Sequence, residues 1–307
     1  MNPAWSVVIF TTIAGAAQGL VVTLALALLA GVPIAARFAG VALLLAEAML
    51  VIGLGASFAH LGRPARAWRA VLMWRTSWLS REVIVLPAFI GVVGLWWWAE
   101  RAGPVAPLLP LAAIAVAALL WYCTAMIYAC LRFIEEWAQP LTLVNFTLTG
   151  LASGLVLASA LATFAGETAL LRASGPAALA VTLIAGAMRG LALRRNAVLK
   201  HRSTLQSATG IHAADLQQKS MGMSAGSFNT REFFHGRTVM LLQQVRLVAI
   251  VLGFALPAAF ALAGLIGGGV WPWALALLCQ VPGLLADRWL FFAQAKHPQN
   301  LYYQVVS

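Results

Sequence analysis

Of the 307 residues, 62% are apolar and only 9% are charged, a balance that excludes a soluble globular domain and describes a polytopic membrane protein. The formal charge of +11 is not read as nucleic-acid affinity, because the positive residues sort by membrane side.

Apolar runs predict crossings at about residues 5–30, 35–59, 83–99, 106–131, 141–165, 174–193, 239–268 and 271–293. Each is long enough for a helical span of roughly 20 residues. Unpaired backbone groups are not tolerated in lipid, so every crossing is expected to be helical. The expected fold class is an all-α integral membrane protein, one polytopic domain over residues 1–307 with eight transmembrane helices. An even number of crossings puts both termini on one face. That face, with its adjoining helix ends, carries 17 of the 20 Lys and Arg residues, and the other face carries only Arg37, Arg101 and Arg172. The positive-inside rule therefore predicts cytoplasmic termini. The loops on the poorly charged face are short: 31–37, 100–103, 166–175 and 267–269.

Between the second and third runs lies an interfacial loop, residues 60–82, rich in Arg and Trp. It holds Arg63, Arg66, Arg69, Arg75 and Arg81 with Trp68, Trp74 and Trp78. Guanidinium groups face phosphates while indoles straddle the apolar boundary, so this composition suits the headgroup layer. Pro64 opens an expected short amphipathic helix with Trp68, Val71, Leu72 and Arg75 at helical spacing. His60 ends one span and Glu82 begins the next. Histidine titrates near neutral pH and a carboxylate can be tuned by burial, so the pair suits proton-coupled chemistry on a quinone at the membrane edge. A plainer reading has His60 snorkelling to the headgroups and Glu82 paired with Arg81 or Arg75.

Glu47 lies 13 residues before His60 on the same span, about 20 Å along the axis and so near midplane. It is a proton-transfer candidate, or else a neutral carboxyl bonded to Gln18 or Ser57. Tyr128 sits one turn inside Arg132, at the depth of a quinone headgroup or of an aromatic belt. Asn145 opens the fifth span as a hydrogen-bond candidate. Asp287 and Arg288, with Arg246, are expected to form an ion pair locking spans seven and eight. Cys123, Cys130 and Cys279 form no CxxC cluster, so an iron–sulfur centre in this chain is not expected. None of the five histidines lies inside a span, which argues against haem b. Residues 194–238 form a polar stretch expected to be a cytoplasmic docking loop.

The segments AHLGRPARAWRA, WRTSWLSRE, MIYACLRFIEEW, NFTLTGLASGLVLASAL and QQKSMGMSAGSFNTREFFHG resemble the membrane-anchor subunits of dimethyl sulfoxide reductase-type molybdoenzymes, in particular the anchors of membrane-bound sulfite-oxidising enzymes. The resemblance covers nearly the whole chain. It implies an eight-helix anchor without haem, bound to a four-cluster iron–sulfur subunit that holds a molybdopterin catalytic subunit. The family's quinol-site histidine falls on His60 and its glutamate on Glu82; Arg63, Arg66, Tyr128 and Asn145 complete the candidate quinone site. The anchor itself is the non-catalytic, quinone-reactive part, with no catalytic or metal-binding residue assigned. With the charge split, the resemblance implies partners on the cytoplasmic face of a bacterial inner membrane, and sulfite oxidation that passes electrons to ubiquinone or menaquinone. The alternatives are the anchor of a quinol-oxidising dimethyl sulfoxide reductase-type complex and, from another class, a proton-coupled secondary transporter. The transporter would use Pro257 and Pro282-Gly283 as helix breaks and Glu47 as the proton carrier.

Overall fold

A computed structural model describes residues 2–59, 63–103, 105–217 and 239–302. The described residues are helical with no strand: α1 Trp5–Leu29, α2 Ala36–Phe58, a 3-10 segment Pro64–Met73, α3 Trp78–Glu100, α4 Leu108–Ala129, α5 Pro140–Ala165, α6 Thr168–Ala197, the short α7 Leu205–Thr209, α8 Val239–Ile250, a π-turn Val251–Ala255, α9 Leu256–Gly267, α10 Val270–Ala293 and a 3-10 turn Pro298–Tyr302. Eight spans are long and apolar enough to cross a membrane, with α8, the π-turn and α9 making the seventh.

Three expected boundaries move. The helix α3 starts at Trp78 and not at 83, because the Ser77 hydroxyl accepts the Ser80 N–H and caps the free first turn. That extension carries Glu82 into the helix. In the same way α6 starts at Thr168, since Gly166 ends α5 at φ 77° and the chain turns in two residues. The far end of α6 runs on to Ala197, so the expected 194–238 loop begins with a helical turn holding Arg194 and Arg195.

Neither helix break that a transporter would use forms. Pro282 lies inside an unbroken α10. Pro257 lacks an N–H and would clash with the carbonyl of Gly253; widening to a π-turn at 251–255 absorbs this without unwinding the span.

The spans pack around α1 and α5, which are 72% and 67% buried against 28–50% for the other six. Lipid gives no hydrophobic drive between helices, so close backbone contact must come from small residues. Gly15 and Gly19 on α1 face Gly150 and Gly154 on α5, both at GxxxG spacing. A Cβ on Gly19 would overlap the Gly150 carbonyl, and one on Gly154 would overlap the Gly19 backbone. Gly253 and Gly283 make the same kind of contact between the π-turn and α10.

The interfacial segment is a 3-10 helix and not the expected α-helix. At three residues per turn, positions i and i+3 eclipse and three ridges result. Arg63, Arg66, Arg69 and Leu72 form one ridge, and Ala65, Trp68, Val71 and Trp74 form a second. The third contains Ala67 and Ala70, which are half-buried while the basic and indole ridges are exposed. The segment therefore lays its small side chains on the bundle and turns Arg and Trp outward. Arg81 fixes its end, donating from Nε to the Trp74 carbonyl and from Nη2 to the Arg75 carbonyl, both at 2.9 Å.

Gly154→Leu is expected to abolish a monodisperse folded peak in fluorescence-detected size-exclusion chromatography. Gly40→Leu, at a position open on every side, should elute like the parent.

Candidate functional site

The buried ionisable side chains at one end of the bundle come from α3, α6, α10 and the α4–α5 connection. That is the end where α2 stops, α3 begins and α10 finishes. Glu82 sits about 6 Å inside the start of α3 and is 6% exposed. A carboxylate at that depth needs a partner, and Thr124 of α4 supplies it: the Thr124 hydroxyl donates to Glu82 Oε1. Arg81 is committed to the carbonyls of the 3-10 segment and lies 4.0 Å over the Trp78 ring, so the plainer pairing of Glu82 with Arg81 does not form. Trp78, one turn before Glu82, meets Tyr122 edge-to-face at 5.3 Å. The α3–α4 seam thus presents an anchored carboxyl beside aromatic rings.

One turn beyond Thr124, Tyr128 enters an aromatic nest. Its ring stacks on Phe146 at 5.6 Å and meets Trp137, Phe291 and Phe292 edge-on. It is a half-buried ring held by four aromatic neighbours. Arg288 of α10 covers the other side of the nest, its guanidinium 3.8 Å from the Phe146 ring centroid. Trp137 Nε1 donates to the Phe291 carbonyl at 3.0 Å, tying the α4–α5 connection onto α10.

Asp287 pairs with Arg189 of α6 at 2.5 Å, both nearly inaccessible. This corrects the expected pairing with Arg288 and Arg246. Arg246 is exposed on α8, whereas Arg189 points inward from α6, so the lock joins spans six and eight. A low-dielectric interior favours the partner that can be fully enclosed over the one nearest in sequence.

The other candidates divide. Asn145 is buried beside Arg288, and its Oδ1 has no hydrogen-bond partner among the described residues. Arg63 and Arg66 are exposed, and no hydrogen bond or ion pair among the described residues joins them to Glu82, Tyr128 or Asn145. His60 lies outside the described residues, as does most of the docking loop beyond residue 217. Glu47 sits at the midpoint of α2, against Gly94 of α3. It bonds to neither expected partner: its Oε2 and Gln18 Oε1 lack partners among the described residues, and Ser57 donates to Leu54. Sequence reasoning missed Thr124, Glu136 and Arg189. Thr124 was findable, standing one turn before Tyr128 on the same face of α4.

Residues 1–226 match the family described as DMSO reductase anchor subunit (DmsC). The chain belongs to the DmsC family. Along the full length of both proteins it is 47% identical, over 327 aligned positions, to a sulfite dehydrogenase subunit of Allochromatium vinosum. It is also 31% identical over 118 positions to Anaerobic dimethyl sulfoxide reductase chain YnfH of Escherichia coli, a match spanning 36% of this chain and 41% of that protein. This DmsC-family chain is therefore a multi-pass membrane anchor, and no group of three or more His, Cys, Asp or Glu among its described residues could hold a metal ion.

Breaking the buried lock of this DmsC-family anchor should cost far more than removing it whole. Asp287→Asn is expected to destabilise by about 3–5 kcal/mol, seen as a lowered Tm in detergent, while the double variant Arg189→Met/Asp287→Leu recovers most of that loss.

Proposed function

We propose that this chain is the quinone-reactive subunit of a molybdopterin oxidoreductase that oxidises sulfite to sulfate. The full-length likeness to a protein named as a subunit of sulfite dehydrogenase carries the reading of substrate and partners. In it, a four-cluster iron–sulfur subunit carrying a molybdopterin catalytic subunit docks on the basic face and delivers electrons. The charge split favours a cytoplasmic position for that face, for both termini and for the 194–238 loop, in a bacterial inner membrane. This anchor forms no bond to sulfur; its task is to hold ubiquinone or menaquinone while two electrons and two protons enter.

Each quinone carbonyl needs a hydrogen-bond donor and a proton. Glu82 is suited to one, because Thr124 fixes its carboxyl and leaves it little rotational freedom. His60, reached by the chain immediately after Ala59, is assigned to the other carbonyl. Tyr128 and Asn145 are assigned to the inner side of this site and Arg63 and Arg66 to the outer, where guanidinium groups would meet lipid phosphate or an acidic partner. Glu47, at the middle of α2, is kept as a proton-transfer candidate apart from this site.

The test is to purify the complex through a tag on this chain and follow sulfite-dependent reduction of a quinone analogue. His60→Ala and Glu82→Gln should each lower the rate about 100-fold while sulfite-driven reduction of a soluble dye by the partners continues. Thr124→Val should lower it about 10-fold by freeing the carboxyl, and Thr124→Ser should restore it. Quinone reduction that survives both His60→Ala and Glu82→Gln would sink the site, and partners without sulfite activity would sink the substrate.

A further inference from the structure

A small cavity lies between α5, α6, α10 and the α4–α5 connection, with Glu136, Asn145, Arg189, Arg288 and Gln294 among its lining residues. Its free volume is about 10 Å³, close to what one water molecule requires. Four of its lining residues each carry a buried polar atom with no partner among the described residues: Glu136 Oε2, Asn145 Oδ1, Arg288 Nε and Gln294 Nε2. Two are acceptors and two are donors. A water donates two hydrogen bonds and accepts two, so these atoms are the full complement of one water. Buried polar atoms left without partners cost about 1–3 kcal/mol each, which makes four of them around one water-sized space an expensive coincidence.

Glu136 has a second face. Its Oε1 accepts the Lys296 N–H at 3.2 Å and lies 3.6 Å from His201 Nε2. His201 is about a quarter exposed and lines a larger crevice of about 150 Å³ with Glu135, Lys296 and His297. The 4%-exposed carboxyl of Glu136 therefore stands between His201, on the outer crevice, and the inner space that Glu136 itself lines. Inward of that space stand Arg288 and then Tyr128, whose ring shares Phe146 with the Arg288 guanidinium.

We propose that Glu136 and a water bound by Glu136, Asn145, Arg288 and Gln294 form the proton entry of this protein, passing protons from His201 toward Tyr128 and the quinone edge. The inference rests on the quinone reading above. Reduction of one quinone takes two electrons, from the partner's reduced iron–sulfur centres, and two protons, from the aqueous face. The entry makes and breaks only O–H and N–H bonds, and each group returns to its starting state once a proton has passed. Glu136 is a proton-transfer residue that does not touch the quinone.

Glu136→Gln keeps the size of the side chain and an acceptor for Lys296 but cannot carry a proton. In the intact complex it should slow quinone reduction about 10-fold or more, relative to the partners' dye reduction, and raise the H2O/D2O rate ratio. Glu136→Asp should recover most of the rate. A slow Glu136→Gln variant with an unaltered isotope ratio would mean a structural role and overturn the proposal. An unaltered rate beside a slow Glu82→Gln variant would overturn it too, while leaving the quinone reading intact. Quinone reduction indifferent to both His60→Ala and Glu82→Gln would instead remove that reading. Should Glu136→Gln fail to assemble, a cryo-EM map of the parent complex decides: a water peak within hydrogen-bond distance of the four atoms supports the proposal, and an empty cavity refutes it.

Discussion

A charge enclosed in a helical bundle within lipid loses its hydration, and it persists only where the protein returns an equivalent set of contacts. Much of this fold answers that demand at one end of the bundle. Glu82 receives the Thr124 hydroxyl, Asp287 receives Arg189, Arg288 rests on the Phe146 ring, and Glu136 receives a backbone N–H beside His201. Each contact joins elements far apart in the chain. The arrangement exists only if α3 meets α4, α6 meets α10, and the α4–α5 connection folds inward so that Ile134, Glu136 and Trp137 are buried. The glycine contacts between α1 and α5 serve the same end, drawing the two central helices close enough for the others to close around them.

The aromatic nest separates the two polar regions that this solution creates. Tyr128, Trp137, Phe146, Phe291 and Phe292 fill the space between the Glu82 seam and the Arg189–Asp287 lock. The packed rings lower the local polarity, and the Arg288 guanidinium lies against one of them, Phe146. Low local polarity strengthens electrostatic coupling across such rings. An anchor that must let protons reach a lipid-soluble molecule without admitting solvent benefits from that combination.

The spans were legible in the sequence because lipid permits only one solution for a long apolar run, and their number and order followed at once. The boundaries at Trp78 and Thr168 were not, since they depend on a serine cap and a left-handed glycine that hydropathy does not weigh. Glu82 was legible as a candidate from its place beside the Arg/Trp loop, but its partner Thr124 lies on another helix. The partner of Asp287 was misread for the same reason: Arg288 adjoins it and Arg246 stands on the neighbouring span, whereas Arg189 is the one near in space. The GxxxG spacings at Gly15/Gly19 and Gly150/Gly154 stand in the sequence, but the α1–α5 contact they make was not read from it. The interfacial helix was legible from Pro64 and its Arg/Trp composition, but its 3-10 geometry was not, since residues three apart share a face in an α-helix as well.

A quinone bound at the α3–α4 edge beside Glu82 is the central claim. Photo-cross-linking of the assembled complex with an azidoquinone, followed by peptide mapping of this chain, tests it most directly. Labelling is expected to be confined to the peptides around residues 58–86 and 121–129 and to be displaced by excess unlabelled quinone. Displaceable labelling on α6, α9 or the opposite end of the bundle, with those peptides unmarked, would contradict it.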